Sequence, residues 1–118
     1  MDIESLRQYC LSKKAATEGL PFGDTTLVFK VVDKMFALTS LDTEYCRVSL
    51  KCDPERAVEL REQHPDHISA AYHMNKKHWN TVICDSGLSD RFIQDLIDHS
   101  YDLVVKSLPK AAQALLNE

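Results

Sequence analysis

Two periodicities alternate along the chain. Ile3, Leu6 and Cys10 recur at helical spacing, Asp2 stands ahead of them as a cap, and Lys13-Lys14 suit a helix C-terminus, so a helix is predicted over residues 3–14. Residues 17–24, with Leu20-Pro21-Phe22-Gly23, read as a loop. The period then drops to two. Residues 27–32 and 35–41 are strand-like runs joined by Asp33-Lys34, a spacing that predicts a tight hairpin. Residues 45–52 alternate: Cys46, Val48, Leu50 and Cys52 face one way, Arg47, Ser49 and Lys51 the other.

Asp53-Pro54-Glu55 combines a capping acid, a first-position proline and a first-turn acid, which starts a second helix. It should end near His64, because Pro65 disfavours helical backbone in the residue before it. Residues 68–74 and 78–84 read as two strands around Asn75-Lys76-Lys77, a second hairpin. Ser89 caps the last long helix, with Leu88 and Ile93 as a hydrophobic staple. Ile93, Leu96, Ile97, Ser100, Val104 and Leu108 form its inward stripe until Pro109 interrupts it. Residues 110–118 read as a frayed helical tail. The order helix, three strands, helix, two strands, helix predicts an antiparallel α+β domain over residues 1–109, followed by a tail over 110–118. Three helices suffice to cover one sheet face, which leaves the other open to a partner.

Composition narrows the class. With 118 residues, 44% hydrophobic and 27% charged, the chain fits one globular domain with a core of its own. Its apolar runs are far shorter than the ~20 residues that span a bilayer. Met1-Asp2-Ile3-Glu4 runs straight into a helical pattern, so no secretory leader is expected. Cys10, Cys46, Cys52 and Cys84 include no C-x-x-C pair. Cys46 and Cys52 stand ~20 Å apart on one strand, too far for a disulfide or a shared metal. Buried reduced thiols and a cytoplasmic location are expected. The net charge of −4 excludes a strongly cationic nucleic-acid binder, so any such binding requires a local patch.

Candidate chemistry follows the charges. Asp98-His99-Ser100 has the residue types of a catalytic triad, but helix neighbours diverge by ~100° and do not face one another. Arg91, Asp95, Asp98 and Asp102 form a mostly acidic ridge on the outer side of that helix, which would repel phosphate. From His67 to Cys84, by contrast, there is no acid at all. There Lys76 and Lys77 occupy a hairpin tip flanked by Asn75, His78, Trp79 and Asn80, a set suited to phosphate and base contacts. Lys30, Lys34, Arg47 and Lys51 form a second basic set on the first three strands. Arg47 and Lys51 share a face by parity, while the face of Lys30 depends on register. His73 and His78 lack a third ligand, so no metal is expected.

These residues carry a resemblance. Leu20-Pro21-Phe22-Gly23, Val28-Phe29-Lys30-Val31, Lys34-Met35-Phe36-Ala37-Leu38, Leu50-Lys51-Cys52-Asp53-Pro54 and Asp98-His99-Ser100-Tyr101 are similar to the MmcQ/YjbR family of small bacterial proteins. The most specific match is Tyr72-His73-Met74-Asn75-Lys76-Lys77-His78-Trp79-Asn80-Thr81-Val82. The resemblance implies a two-layer α-β3-α-β2-α fold of the YjbR-like or CyaY-like kind, and DNA binding by a "double wing" formed from the two hairpins. Similar sequences tend to carry a glycine where this chain has Asp33-Lys34.

The expectation is therefore a cytoplasmic, monomeric, non-enzymatic domain without cofactor or metal that binds duplex DNA weakly through phosphate contacts. Lys76 and Lys77 lead, Lys34, Lys30 and Lys51 support, Asn75 and Asn80 are polar readers, and His78 and Trp79 hold the second wing in shape. The alternative is a protein-interaction module that uses the open sheet face.

Overall fold

The computed structural model describes residues 1–117. In chain order the elements are α1 (Ile3–Leu11), β1 (Ala16–Gly19), β2 (Thr26–Val31), β3 (Lys34–Ser40), β4 (Arg47–Lys51), α2 (Pro54–Gln63), β5 (Ile68–Ala70), β6 (Trp79–Ile83), α3 (Asp90–Ser107) and α4 (Lys110–Leu116). The strands form one antiparallel sheet in the order β1-β2-β3-β4-β6-β5. The α+β class is as the pattern predicts; one strand and one helix are additional.

Capping chemistry sets the helix starts. The Asp2 carboxylate accepts from the Ser5 N–H at 2.8 Å, Asp53 from Arg56 at 3.4 Å, and Ser89 from Phe92 at 3.1 Å. Helix α1 stops at Leu11 rather than near Lys14, because Ala15 takes φ of 61° and turns the chain back toward the sheet. That reversal creates β1, an edge strand on residues read as a loop. Its Glu18 carboxylate is gripped by the Arg7 guanidinium of α1 through bonds of 2.7 and 2.5 Å. Beyond Pro109 the tail is a docked helix: Leu116 packs against the core, and the Gln113 amide donates to Leu108 O at 2.7 Å. Glu118, the end of the expected tail, lies outside the described residues.

The first hairpin turns one residue earlier than expected. Val32 and Asp33 are the turn, both at positive φ (47° and 64°), and Lys34 already opens β3. Two positive φ values in a two-residue loop match the twist of the flanking strands. The second connection departs further. Strand β5 ends at Ala70 rather than Met74, and residues 71–78 make successive turns before β6 begins.

The core fills the space between the helices and one sheet face. Phe29, Ala37, Val48, Leu50 and Val82 pack from the sheet, Leu6 and Cys10 from α1, Ala57 and Leu60 from α2, and Ile93, Leu96, Ile97 and Val104 from α3. The register between β2 and β3 slips next to Phe29 and Lys30, so Phe36 is an extra residue that stays on the core side beside Ala37. Where this bulge interrupts the β3–β4 ladder, the Ser100 hydroxyl donates to Phe36 O at 2.5 Å and accepts from Lys51 N at 2.9 Å. All four cysteines are buried and free. Cys46 and Cys84 face each other across the β4–β6 pair, with the Cys84 N–H donating to Cys46 O at 2.8 Å. Among the described residues no helix is long and apolar enough to cross a membrane.

Candidate functional site

Strand directions decide which cations meet. Strand β2 ends beside Lys30, β3 begins at Lys34, β4 ends at Lys51, and β6 begins at Trp79, so residues 71–78 emerge at this same end. The topology therefore gathers Lys30, Lys34, Lys51, Lys76 and Lys77 at one end of the sheet. Register also fixes the face of Lys30. It pairs with Met35, which shares the open face with Leu38, and Leu38 pairs with Ser49. Lys30 thus joins Arg47 and Lys51 on the face opposite the core. With a strand spacing of ~4.8 Å and β3 between them, β2 and β4 hold Lys30 and Lys51 on the order of 10 Å apart. Among the described residues, the ion pairs of 4.0 Å or less do not include any of the five lysines.

The remaining residues of the central motif hold the loop rather than extend from it. The Asn75 carboxamide oxygen accepts from Lys77 N at 3.0 Å, and its backbone carbonyl accepts from His78 N and Trp79 N at 3.0 and 2.9 Å. His78 O in turn accepts from Cys52 N at 2.7 Å, tying the loop to the end of β4. Trp79 is 9% exposed and stands apart from the helix-side core, so it is shielded on the open side. Asn80 departs from expectation as a polar reader. It is 2% exposed on the helix side of the sheet, where it donates to Ala57 O and accepts from Arg61 at 2.8 Å. Arg61, which the sequence reading passed over, also reaches Lys76 O at 3.4 Å and so braces the loop from α2. The Lys76 ammonium lies 5.2 Å from the centre of the Tyr72 ring, held over its face.

The rest of the open face is a groove of about 610 Å³. Phe22 comes from the loop before β2, Tyr45 from the loop before β4, and Tyr72 from the turn after β5; Ser49, Thr81 and Ile83 line it from the middle of the sheet. Phe22 and Tyr72 are 62% and 74% exposed. The Arg47 guanidinium also lines the groove, lies 5.8 Å from the Tyr45 ring centre, and makes only long bonds to Tyr45 and Ser40 hydroxyls, at 3.4 and 3.3 Å. Among the lining residues there is no Asp or Glu.

The helix side is of opposite character. Asp98 pairs with Lys13 and accepts from the Tyr9 hydroxyl at 2.6 Å; burial, reinforced by that bond, pushes the Tyr9 pKa up to about 12. Arg91 pairs with Asp95 at 3.3 Å. The triad-like residues point to three separate places: Asp98 faces α1, Ser100 bridges β3 and β4, and His99 Nε2 accepts from Asp53 N at 3.2 Å. Burial, with Arg56 adding to it, lowers the His99 pKa. The Cys84 thiol donates to Val82 O at 3.7 Å; its pairing with Cys46, together with burial, raises the Cys84 pKa, and the same pairing lowers that of Cys46. Among the described residues no three His, Cys, Asp or Glu side chains are grouped as metal ligands.

Known proteins share this sequence and arrangement. The YjbR family model matches residues 11–103. The uncharacterized protein YjbR of Escherichia coli K12 is 39% identical over 116 residues, covering 98% of each chain. The uncharacterized protein YbdF of Escherichia coli O157:H7 is 39% identical over 93 residues, 79% of this chain and 75% of that one. The crystal structure of Deinococcus radiodurans protein DR2400, a DUF419 domain, superposes with a TM-score of 0.90 at 42% identity, covering 98% of this chain and 87% of that one. A Pseudomonas syringae crystal structure matches at a TM-score of 0.75 and 29% identity, over 87% of this chain and 98% of that one. Matched in sequence along nearly its whole length and in fold by solved relatives, the chain belongs to the YjbR family.

Proposed function

We propose that the protein binds duplex DNA weakly, in the cytoplasm, by setting the lysine-bearing end of its sheet against the phosphate backbone. The observation that carries this reading is the gathering of Lys30, Lys34, Lys51, Lys76 and Lys77 at one end of the sheet, outside every ion pair among the described residues. A net charge of −4 does not decide the local field, which is set within a Debye length of ~8 Å, where five lysines stand against the nearby carboxylates of Asp33 and Asp53. The role is binding without catalysis, and its contacts position the protein without reading sequence. Four buried free thiols suit the reducing compartment.

Counterion release supplies the test. Each phosphate neutralised by a lysine adds roughly 0.9 to the slope of log affinity against log salt, so five contacts give at most about 4.5. Lys77→Ala should flatten that slope by about one on unrelated sequences, and Lys76→Ala/Lys77→Ala by roughly two. Asp95→Ala, on the helix side, should leave it unchanged. Fluorescence anisotropy with labelled duplexes at several salt concentrations measures this, with melting curves as the folding control. Absence of binding by folded wild-type protein at about 50 mM salt, or a full slope in the double variant, would overturn the proposal.

A further inference from the structure

The groove on the open face carries a chemistry that lysine–phosphate contacts do not use. Its volume of about 610 Å³ is that of a small-molecule site, which typically spans roughly 300–1,000 Å³. Three aromatic side chains, Phe22, Tyr45 and Tyr72, come to it from three separate loops, and two of them are more than half exposed. Scattered exposed aromatics are unremarkable on a protein surface; three converging on one concavity mark a binding site. Arg47 is the one lining residue with a permanent charge, in a groove without carboxylates on a protein of net charge −4. A guanidinium has five N–H donors in a fixed fork. Arg47, which lines the groove, gives two of them to long bonds with neutral hydroxyls and has no carboxylate partner among the described residues, so its charge is not neutralised by an ion pair there.

We propose that this groove binds a small organic anion, with a flat apolar body against Tyr72, Phe22 and Tyr45 and a single carboxylate or sulfonate on Arg47. The charge complement selects the ligand's sign, and the aromatic walls select a planar apolar body over a compact inorganic anion. The anion's partner, Arg47, is not among the proposed DNA contacts, and the site meets them only at Tyr72, whose ring lies 5.2 Å from the Lys76 ammonium. Arg47 and Lys51 lie at opposite ends of β4, separated by roughly 13 Å at about 3.3 Å per residue.

Two probes of matched ring system test it: anilinonaphthalene sulfonate, which is anionic, and phenylnaphthylamine, which lacks the sulfonate. The anionic probe should saturate at one equivalent by fluorescence, and the neutral one should bind about tenfold more weakly, the worth of one charge-assisted hydrogen bond. Arg47→Gln should weaken the anionic probe by about tenfold and leave the neutral one unchanged. Tyr72→Ala, at a position outside the core, should weaken both by several fold. If melting curves show that Arg47→Gln is unfolded, the probe comparison and Tyr72→Ala still decide. Absence of saturable binding by folded wild-type protein, equal affinity for the two probes, or full affinity in Tyr72→Ala or in a folded Arg47→Gln would overturn the proposal.

Discussion

Ser100 is a hydroxyl in the middle of an apolar helix stripe, and its two bonds account for it. The bulge at Phe36 leaves a carbonyl on β3 and the Lys51 N–H on β4 without each other, and the Ser100 oxygen satisfies both from α3. Removing that oxygen strands a buried donor and acceptor in a place water does not reach. Ser100→Ala should therefore cost ~2 kcal/mol, more than a lone hydroxyl–carbonyl bond is worth, because the penalty falls on the groups left behind. Urea denaturation checks it: the midpoint should fall with unchanged slope, whereas an unchanged midpoint would mean that the strands close over the gap. Helical periodicity made the inward direction of Ser100 legible. Its partners were not legible, since they lie 64 and 49 residues away in sequence and the bulge that orphans them has no local marker among apolar residues. The face of Lys30 was obscure for the same reason, because one slipped residue reverses parity across the strand.

Between neighbouring elements, what could be read depended on which residues carry the alternation. Strand β4 follows its pattern, with Cys46, Val48, Leu50 and Cys52 buried as their spacing requires. Strand β1 has no such pattern, because Ala-Thr-Glu-Gly is an exposed edge held by backbone pairing and by Arg7. The chain after β5 reads as strand through Met74, yet turns at once, with the Met74 N–H donating to Ala71 O at 3.1 Å, and the Asn75 side chain then shapes the next turn by accepting from Lys77 N. The first hairpin was legible in kind and displaced by one position. Its turn places Val32, a β-branched residue, at φ of 47°, a region where such side chains are strained. Val32 is 44% exposed, so its replacement loses little burial. Val32→Asn/Asp33→Gly installs residues suited to this turn and should stabilise the fold by about 1 kcal/mol, raising Tm by roughly 4 °C. A calorimetric Tm at or below that of the wild type would show that the turn is not strained.

Taken whole, the molecule pairs the helix-layer carboxylates Asp95 and Asp98 with Arg91 and Lys13, while the lysines at one end of the sheet stay outside the ion pairs among the described residues. The net charge of a sequence averages over that arrangement, so the patch became legible only from the acid-free run between His67 and Cys84 and from strand order. The thiols report on the same globule. Burial pushes the Cys10 pKa up to about 12, while Cys46, 9% exposed, has its pKa lowered by its pairing with Cys84. A disulfide-exchange reagent should therefore modify Cys46 first in the native protein and reach Cys10 only through global opening, with four thiols titrating after denaturation. Equal native rates at Cys10 and Cys46 would contradict that burial order. Strand order has a kinetic consequence as well. Strands β1 to β4 follow one another in chain and in sheet, so each pairs with a neighbour just synthesised. Strand β6 instead lies between β4 and β5, and residues 79–83 must find residues 47–51 across an intervening helix. Until they do, β5 has no sheet to join, so β5 and β6 arrive together, and their docking on β4, the most non-local of the strand pairings, is the slowest step of sheet assembly.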